Sequence, residues 1–489
     1  MIPAMLSTTG SVELLVVYLC FGLTVLCIAP VSGWMKSRCL AEPLLATCVG
    51  IAVGLATPPD ASAVTPSLLV ALEIARITIG IQCLNSGLAV GRRFYTQHWR
   101  SLLIYLGPVM VFMWLSSAAF VLAVFPELGV ARAALIGAML APTDPVLASS
   151  IVSGKDAEDL PADVKDLLTA ESAANDGLAL PFVYLPLLFL RDGAAKVGAP
   201  ALVGQWVWNI WCYEVLVGAA AGAALGAASA RLLRYAARHN MQEKSSRLAF
   251  VVALALATLG GVQLMGADGI LACFTAGLAF RWVAPAPEEG GAAACDAASS
   301  FEEDMFASHA IDLILTYSFF VHFGTVLPYA AWQALGVGRL LALSLAVLFL
   351  TRLPASLALT ACGLAPATSG YADAAFVGWF GPVGVAAIYY ALDAEDQAHL
   401  DGAPYAICSF IVLTHVVVFS VTAPLLTRMY KGHLLAQGPA LPVAVPSKAV
   451  AVGEGLAAPQ LITPAVGAPF NMVSSPLRST RLLEWGSDR

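Results

Sequence analysis

A short stretch near residue 143 places an acidic residue and two prolines inside an apolar run. It reads GAMLAPTDPVLASSIVSG, with Thr143 and Asp144 between Pro142 and Pro145. Proline has no N–H and clashes with the carbonyl four residues earlier, so two prolines three residues apart break a helix and free carbonyl oxygens beside Asp144. Unwound carbonyls of this kind coordinate monovalent cations inside membrane proteins. The alternative is a simple kink with a tolerated Asp, although an Asp at a bilayer centre costs roughly 3 kcal/mol.

The next apolar run, LLTAESAANDGLALPFVYLPLLFL, carries a polar face. Glu171 and Asn175 are four residues apart, as are Ser172 and Asp176, so on a helix these side chains share one broad face. An ionisable cluster inside an apolar helix indicates an ion path or a proton relay. A position at the membrane surface is the alternative for Glu171. It does not suit Asp176, which lies about three turns deeper than the charged pair at 165–166.

A third polar residue, Arg352, lies in the apolar stretch LFLTRLPASLALT. A guanidinium is always charged, so inside a span it requires a buried partner. Glu171 is the best candidate. The alternative is that Arg352 extends its side chain to the cytoplasmic face.

The stretch GWFGPVGVAAIYYA contains a second interruption, at Gly381, Pro382 and Gly384. Interrupted helices in the two halves of a chain are typical of transporters built from inverted repeats. Packing glycines with one kink are the alternative, since they are common in membrane helices.

The composition indicates that these residues lie on membrane helices. The chain is 59% hydrophobic and 12% charged, whereas a soluble domain is about 25% charged. Apolar runs of roughly 20 residues recur, which is the length of a membrane-spanning helix. The sequence therefore predicts an all-α polytopic membrane protein. About thirteen candidate spans are 12–32, 40–57, 66–91, 100–126, 129–153, 164–190, 203–234, 246–263, 266–283, 309–330, 337–362, 371–393 and 404–430.

The charges between the spans predict an orientation. Basic residues cluster at 36–38, 92–100, 231–247 and 428–431, whereas the loop ALDAEDQAHLDG is acidic. The positive-inside rule then places the N-terminus outside and the C-terminus in the cytoplasm. We expect a transmembrane domain over 1–433, with a low-complexity cytoplasmic loop at 284–308, and a short, mostly disordered cytoplasmic tail over 434–489.

Several function classes find no support in the sequence. It contains no G-x-x-x-x-G-K-[ST] motif for ATP and no TVGYG-like filter of a potassium channel. It has no basic stripe with aromatics for nucleic acid, and its ten cysteines are scattered without a C-x-x-C pair. We expect no cofactor and no enzymatic activity. The first apolar run lacks a basic n-region and a clear cleavage site, so we interpret it as a retained helix.

Two motifs together, APTDPVLASSIVSG and AESAANDGLALPF, resemble the monovalent cation–proton antiporter superfamily, in the branch with an Asn-Asp pair. The stretches GADGILACFTAGLAF, IDLILTYSFFVHFGTVLP, TRLPASL and GWFGPVGVAAIYYA are most similar to the fungal sodium–proton antiporters. The similarity runs in consistent order from about residue 12 to 430. It implies a fold of inverted repeats with two crossing interrupted helices, sodium–proton exchange, a homodimer, and roles in pH homeostasis and salt tolerance at the plasma membrane.

The resemblance also implies roles for individual residues. The family's sodium site matches Asp144 and Asp176, with the Thr143 backbone and the Ser172 hydroxyl as neighbouring ligands. Among the supporting positions, Asn175 matches the Asn of the Asn-Asp pair. Glu171 and Arg352 match a structural ion pair, and 381–384 matches the unwound partner of the crossing helices.

The sequence departs from the family at one acidic position. Many fungal members have two adjacent acids where this chain has Asp268-Gly269. This leaves open the preference among sodium, lithium and potassium, and it puts the stoichiometry in question. Asn175 cannot titrate, so we expect an electroneutral exchange in which Asp176 alone changes occupancy.

The physical account is competition at one site. Burial favours the uncharged form of a carboxyl group, so a carboxylate in a partly dry cavity binds either a proton or a cation. Exposure of that site to alternate sides then gives exchange without ATP. The alternatives are a cation channel that uses the same oxygens, and an intramembrane aspartyl protease. The protease would need a G-x-G-D sequence at one Asp, and neither motif contains it.

Overall fold

The fold is helical. A computed structural model describes residues 42–436 apart from 57–60, 145–159, 192–196, 240, 242, 284–291 and 369, together with positions 22, 25, 26 and 30. Every regular secondary-structure element within the described ranges is a helix. The predicted all-α class is confirmed.

The helices are numbered here in chain order. They are α1 Glu42–Ala56, α2 Ala61–Ala89, α3 Arg92–Val124, α4 Gly129–Met139, α5 Ala162–Arg191, α6 Ala199–Arg238, α7 Lys244–Leu264, α8 Gly269–Val283, α9 Ala292–Thr325, α10 Tyr329–Leu335, α11 Val337–Leu350, α12 Arg352–Ala361, α13 Tyr371–Trp379, α14 Val385–Ala398 and α15 Ala403–Ala436. Two of them contain a wider π-helical stretch, Tyr105–Val109 in α3 and Trp206–Val215 in α6.

The lengths of these helices suit a bilayer. Within the described ranges, six are long and apolar enough to cross a membrane, or seven if the bent pair α9–α10 is one span. α1, α7 and α8 are shorter apolar helices. The described parts of the predicted spans from 40–57 onward coincide with helices or interrupted pairs, whereas 12–32 lies largely outside the described residues and the span 129–153 is described only up to residue 144. The count of thirteen stays a prediction.

The region predicted as a loop at 284–308 differs from that expectation. α9 begins at Ala292 and continues to Thr325. This segment is rich in alanine, the best helix former, and has no proline after Pro287. The prediction of a loop from low sequence complexity is therefore wrong for residues 292–308. The predicted tail from 434 lies outside the described residues beyond Ala436, where α15 ends.

The helices pack as two groups. The first contains α1, α2 and α6–α9, and the second contains α3–α5 and α11–α15. The groups meet where α2 contacts α5 and α14, and where α6 and α8 contact α5. The two interrupted elements, α4 with the chain after it and α13–α14, both lie in the second group.

Close packing in the first group depends on glycine. Gly218, Gly222 and Gly226 lie one turn apart on the buried face of α6. A β-carbon at any of them would overlap the backbone of α8 or of the turn before it. Small residues at this spacing let two helix backbones approach closely in a membrane protein.

We predict that Gly222→Ala destabilises the protein by about 1–3 kcal/mol, because overpacking a tight contact forces the backbone to move. The added β-carbon would lie 2.6 Å from the Ala272 Cα. The matched control is Gly260→Ala on α7, where a β-carbon meets open space and the helix gains roughly 0.5–1 kcal/mol. In thermal melting experiments in detergent, the midpoint should be lower than that of the wild type for Gly222→Ala only. A Gly222→Ala midpoint equal to that of the wild type would contradict this packing.

Candidate functional site

The candidate site begins where α4 ends. The helix stops at Met139, and the chain from Leu140 to Asp144 is not helical. Thr143 and Asp144 are 0% and 2% exposed. The helix therefore ends before Pro142, as predicted, and the chain up to Asp144 holds two polar side chains inside the protein, whereas Pro145 and the residues that follow it to 159 lie outside the described residues.

The second interruption separates α13 from α14. α13 ends at Trp379, and α14 begins at Val385 after Gly384, whose dihedral angles are not helical. The short unwound segment contains Gly381 and Pro382, as the sequence predicted. Because α14 starts inside the protein, its first backbone N–H groups need a partner there.

The two interruptions contact each other directly. The backbone N–H of Asp144 donates to the Pro382 carbonyl at 2.7 Å. The backbone N–H of Val385 donates to Oδ2 of Asp144 at 3.0 Å. This carboxylate therefore lies at the N-terminus of α14, where the helix dipole favours a negative charge. Gly384 is required by this contact, because a β-carbon there would overlap the Asp144 carboxylate.

Helix α5 completes the polar cluster. Its Ser172, Asn175 and Asp176 are all buried. Asn175 binds Thr143 twice: its Oδ1 accepts the backbone N–H at 3.1 Å, and its Nδ2 donates to Oγ1 at 2.9 Å. The Thr143 and Ser172 hydroxyls are 3.0 Å apart. The amide of Asn175 thus attaches the unwound segment after α4 to the polar face of α5.

Asp176 has a different environment from Asp144. It is 1% exposed, and its Oδ1 has no hydrogen-bond partner among the residues that the structure describes. Asp144 is close enough to act on it electrostatically. A buried carboxylate without a donor is costly, so either a proton or a bound cation would lower the energy of this site.

Glu171 and Arg352 form a buried ion pair. Both guanidinium amines of Arg352 donate to the Glu171 carboxylate, and the two side chains are only 2% and 3% exposed. The Nε of Arg352 donates to the Val377 carbonyl near the end of α13 at 2.9 Å. Arg352 therefore does not extend to the membrane surface. Arg352 joins α12 to α5 and to α13. Its contact on α13, the Val377 carbonyl, lies in the last helical turn before the second interruption.

Close approach at Gly381 depends on the same arginine. A β-carbon at Gly381 would overlap the Arg352 side chain and lie 3.1 Å from Cγ2 of Thr143. The structure thus brings together all the residues that the sequence singled out for this site. What each contributes to ion binding remains a proposal, developed below.

Sequence reasoning missed the part that His415 plays at the second interruption. His415 of α15 is 1% exposed, and its Nδ1 accepts the backbone N–H of Val383 at 3.0 Å. An accepting Nδ1 fixes the neutral tautomer with the proton on Nε2. In the sequence His415 is a single polar residue in an apolar span, which packing alone would explain.

Comparison with known proteins identifies relatives for most of this chain. The family described as "Sodium/hydrogen exchanger, transmembrane" matches residues 22–428. The chain is 34% identical over 393 residues to "Na(+)/H(+) antiporter 2" of Zygosaccharomyces rouxii, which covers 78% of this chain and 46% of that protein. The "Na(+)/H(+) antiporter" of Saccharomyces cerevisiae is 33% identical over 393 residues, 78% of this chain and 38% of that protein. The chain thus spans about half the length, or less, of these curated relatives.

A solved structure shares the fold. The sodium proton antiporter MjNhaP1 from Methanocaldococcus jannaschii at pH 8 superposes with a TM-score of 0.62 and 16% identity. The match covers 86% of this chain and 99% of that one. At this identity the likeness concerns the helical architecture.

The buried ion pair predicts strong energetic coupling. Arg352→Ala should cost about 3–5 kcal/mol, because it leaves the Glu171 carboxylate buried and unpaired. Adding Glu171→Gln should restore part of that loss. Thermal melting of the two single variants and the double variant in detergent measures the coupling.

The matched control is the surface pair Arg132–Asp401, whose side chains are 32% and 63% exposed at 2.9 Å. The same cycle with Arg132→Ala and Asp401→Asn should give less than about 1 kcal/mol of coupling. Additive losses in the Arg352–Glu171 cycle would contradict the buried pair.

Proposed function

Because the chain belongs to the sodium/hydrogen exchanger family, we propose that it exchanges a monovalent cation, with sodium as the first candidate, for protons across a membrane. Family membership places the chain among transporters and not among enzymes. Two curated relatives carry the name Na(+)/H(+) antiporter. The observation that carries the proposal is the Asp176 carboxyl group, buried beside Asp144 with an oxygen that no described residue satisfies.

The two aspartates would have different tasks. Asp144 accepts a backbone N–H at the start of α14, which stabilises its ionised form throughout the cycle. Asp176 has no such donor on Oδ1, so its charge has to be neutralised by a bound species. A proton and a cation then compete for Asp176, with Asp144 as a fixed charge that attracts both.

The other ligands would come from the polar groups that surround the first interruption. The Ser172 and Thr143 hydroxyls are hydrogen-bonded to each other. Because Thr143 Oγ1 also accepts from Asn175, both oxygens retain a lone pair for a cation when Thr143 is the donor to Ser172. Asn175 holds the Thr143 backbone in place and carries no titratable proton. The set consists of hard oxygen ligands, which suit sodium, lithium and potassium alike.

Alternating access requires that the site moves relative to a barrier. The interrupted helices, α5 and Arg352 all belong to the second helix group, and in the first group α2 contacts α5 and α14 while α8 contacts α5. Movement of the second group against the first would expose Asp176 to one side and then to the other. The Arg352–Glu171 pair would keep the site intact during that movement.

Two alternatives compete with exchange. A cation channel would use the same oxygens, but it would conduct with unitary currents and far faster turnover. A protease would need both carboxyl groups beside an accessible peptide, whereas Asp144 is held by the N-terminus of α14. Neither alternative explains why the two breaks meet at one buried carboxylate.

The remaining parts of the proposal concern the cellular setting. The distribution of basic loops supports an external N-terminus and a cytoplasmic C-terminus. Protease digestion in intact cells of a tag placed after Arg489 would test this orientation.

The resemblance to fungal antiporters supports a homodimer in the plasma membrane with a role in salt tolerance and pH homeostasis. Cross-linking of membranes would reveal the dimer.

Exchange and its dependence on the two aspartates can be tested in proteoliposomes. Addition of sodium should collapse an imposed pH gradient with the wild-type protein. Asp144→Asn and Asp176→Asn should each abolish this flux, because an amide cannot replace the negative charge. Glu243→Gln, which removes an exposed carboxylate between α6 and α7, should retain it. Normal sodium-dependent flux in Asp176→Asn would overturn the site.

We predict that the exchange is electroneutral. If Asp176 alone changes occupancy, the loaded site has the same charge with a proton as with sodium, so no net charge crosses in a cycle. A net charge would couple transport to voltage by about 2.3 kcal/mol per 100 mV. Sodium-driven proton flux should therefore stay unchanged when valinomycin and potassium set the potential. A steep dependence on voltage would show that more than one proton moves per cation.

A further inference from the structure

One buried imidazole lies behind the second interruption, on a helix that supplies no ligand to the site proposed above. His415 belongs to α15 and is 1% exposed. The ring of Phe419, one turn further along α15, has its centroid 5.9 Å from that of Trp379 and 6.3 Å from that of Phe380. Nε1 of Trp379 donates to Thr422 Oγ1 at 3.3 Å. His415, Phe419 and Thr422 share one face of α15, and this face supports the chain where α13 ends.

His415 holds one edge of a single peptide group. Its Nδ1 accepts the Val383 N–H at 3.0 Å, and this N–H belongs to the same peptide group as the Pro382 carbonyl. That carbonyl accepts the Asp144 N–H at 2.7 Å. The peptide is trans, so it is planar and its N–H and C=O point in opposite directions. The peptide group between residues 382 and 383 is therefore held by α15 on one side and by the first interruption on the other.

The orientation of this peptide group determines what faces Asp144. Rotation of the group about its flanking bonds would break both hydrogen bonds together and would turn an N–H towards the Asp144 N–H. The same segment leads into α14, where the Val385 N–H donates to Oδ2 of Asp144 at 3.0 Å. Because each residue has only two soft dihedral angles, fixing the peptide at Val383 also restricts the direction in which α14 begins. His415 thus acts on Asp144 through two backbone groups.

Packing does not account for an imidazole at this position. The neutral tautomer that accepts at Nδ1 carries its proton on Nε2. This Nε2 is buried without a hydrogen-bond partner among the residues that the structure describes, and a buried donor that lacks an acceptor is destabilising. A leucine would fill an apolar site without that cost. The acceptor at Nδ1 is therefore the property that distinguishes His415 from an apolar residue.

We propose that His415 is a positioning residue of the exchange site: its neutral imidazole fixes the 382–383 peptide group, which holds Asp144 and the start of α14 in the arrangement that binds the cation. The proposal rests on the exchange function proposed above. The support comes from a continuous helix, Ala403–Ala436, and groups held by helices are positioned more precisely than groups held by loops. Sodium binding should therefore depend on the hydrogen-bond acceptor at position 415.

Replacement by leucine and by asparagine separates the acceptor from packing. In His415→Asn the amide oxygen takes the place of Nδ1, whereas His415→Leu has nearly the same shape and no acceptor. Both variants remove the same part of the ring and leave a similar void. In proteoliposomes, His415→Leu should raise the KM for sodium about tenfold, as for one lost buried hydrogen bond, with a maximal rate within about threefold of wild type. His415→Asn should keep KM within about twofold, because its oxygen accepts the Val383 N–H.

The order of the two variants decides between positioning and packing. If His415 served packing only, leucine would be tolerated at least as well as asparagine in a buried site, and loss of folded protein would lower the maximal rate without changing KM. That result would overturn the proposal. The matched control on the same helix is Ser420→Ala, which removes a buried hydroxyl that donates to the Val416 carbonyl of α15 itself at 2.5 Å. This variant should leave KM unchanged.

Two measurements test the hydrogen bond without transport. Hydrogen–deuterium exchange at the Val383 amide in detergent should be faster in His415→Leu than in wild type and close to wild type in His415→Asn, since a bonded, buried amide exchanges only when it opens. Nitrogen-15 NMR of wild-type protein labelled at its seven histidines should show His415 protonated at Nε2 and not at Nδ1. Protonation at Nδ1 would refute the hydrogen bond, and this result does not require that His415→Leu folds.

Failure of the positioning role and failure of exchange give different results. Absence of sodium-dependent proton flux in wild-type liposomes would refute exchange, while protection of the Val383 amide that depends on the acceptor at position 415 would still support the fixed peptide group. Normal flux with an unchanged KM in His415→Leu, together with faster exchange at Val383, would refute the positioning role and leave the exchange function intact.

Discussion

Compensation of buried negative charge is the constraint on which this structure depends. A carboxylate inside an apolar helix bundle is costly unless donors or a counter-charge surround it. Glu171 has the guanidinium of Arg352, and Asp144 has the N-terminus of α14. Asp176 has neither on Oδ1. Glu171 and Asp144 therefore have partners within the protein, whereas Oδ1 of Asp176 has none among the described residues, and the proposed mechanism places the cargo at Asp176 for this reason.

The interrupted helices follow from that constraint. A continuous helix has no free N–H groups in its middle, so α14 can face Asp144 only because the chain is unwound before Val385. Unwinding in turn frees polar backbone groups that need partners. The Asp144 N–H is satisfied by the Pro382 carbonyl, the Val383 N–H by His415, and the Thr143 N–H by Asn175. Glycine at 381 and 384 is necessary because the Arg352 side chain and the Asp144 carboxylate occupy the space of a β-carbon at these two positions.

The sequence predicted much of this because polar residues in apolar runs are costly and therefore informative. The prolines at 142 and 145 indicated the first break, and the always-charged Arg352 indicated a partner that the helical face of α5 supplied. His415 could not be assigned from the sequence, since its contact with Val383 joins segments far apart in the chain, and a single imidazole in an apolar helix is equally typical of ordinary packing. The helix at 292–308 was not predicted, because the low complexity of this segment indicated a loop. Its many alanines favour a helix.

The same asymmetry between the aspartates bears on coupling. An exchanger fails if its empty site crosses the membrane, because each empty return dissipates a gradient without exchange. In the proposed mechanism an empty site would carry Asp176 as an uncompensated carboxylate past the apolar barrier formed by α2 and α8. Burying such a charge costs far more than burying the neutral or cation-bound group. A missing donor at Oδ1 would therefore do two things at once: it creates the binding site, and it blocks the return of the site without cargo. A donor added by mutation beside Asp176 would stabilise the empty site and so would weaken the coupling between the two fluxes.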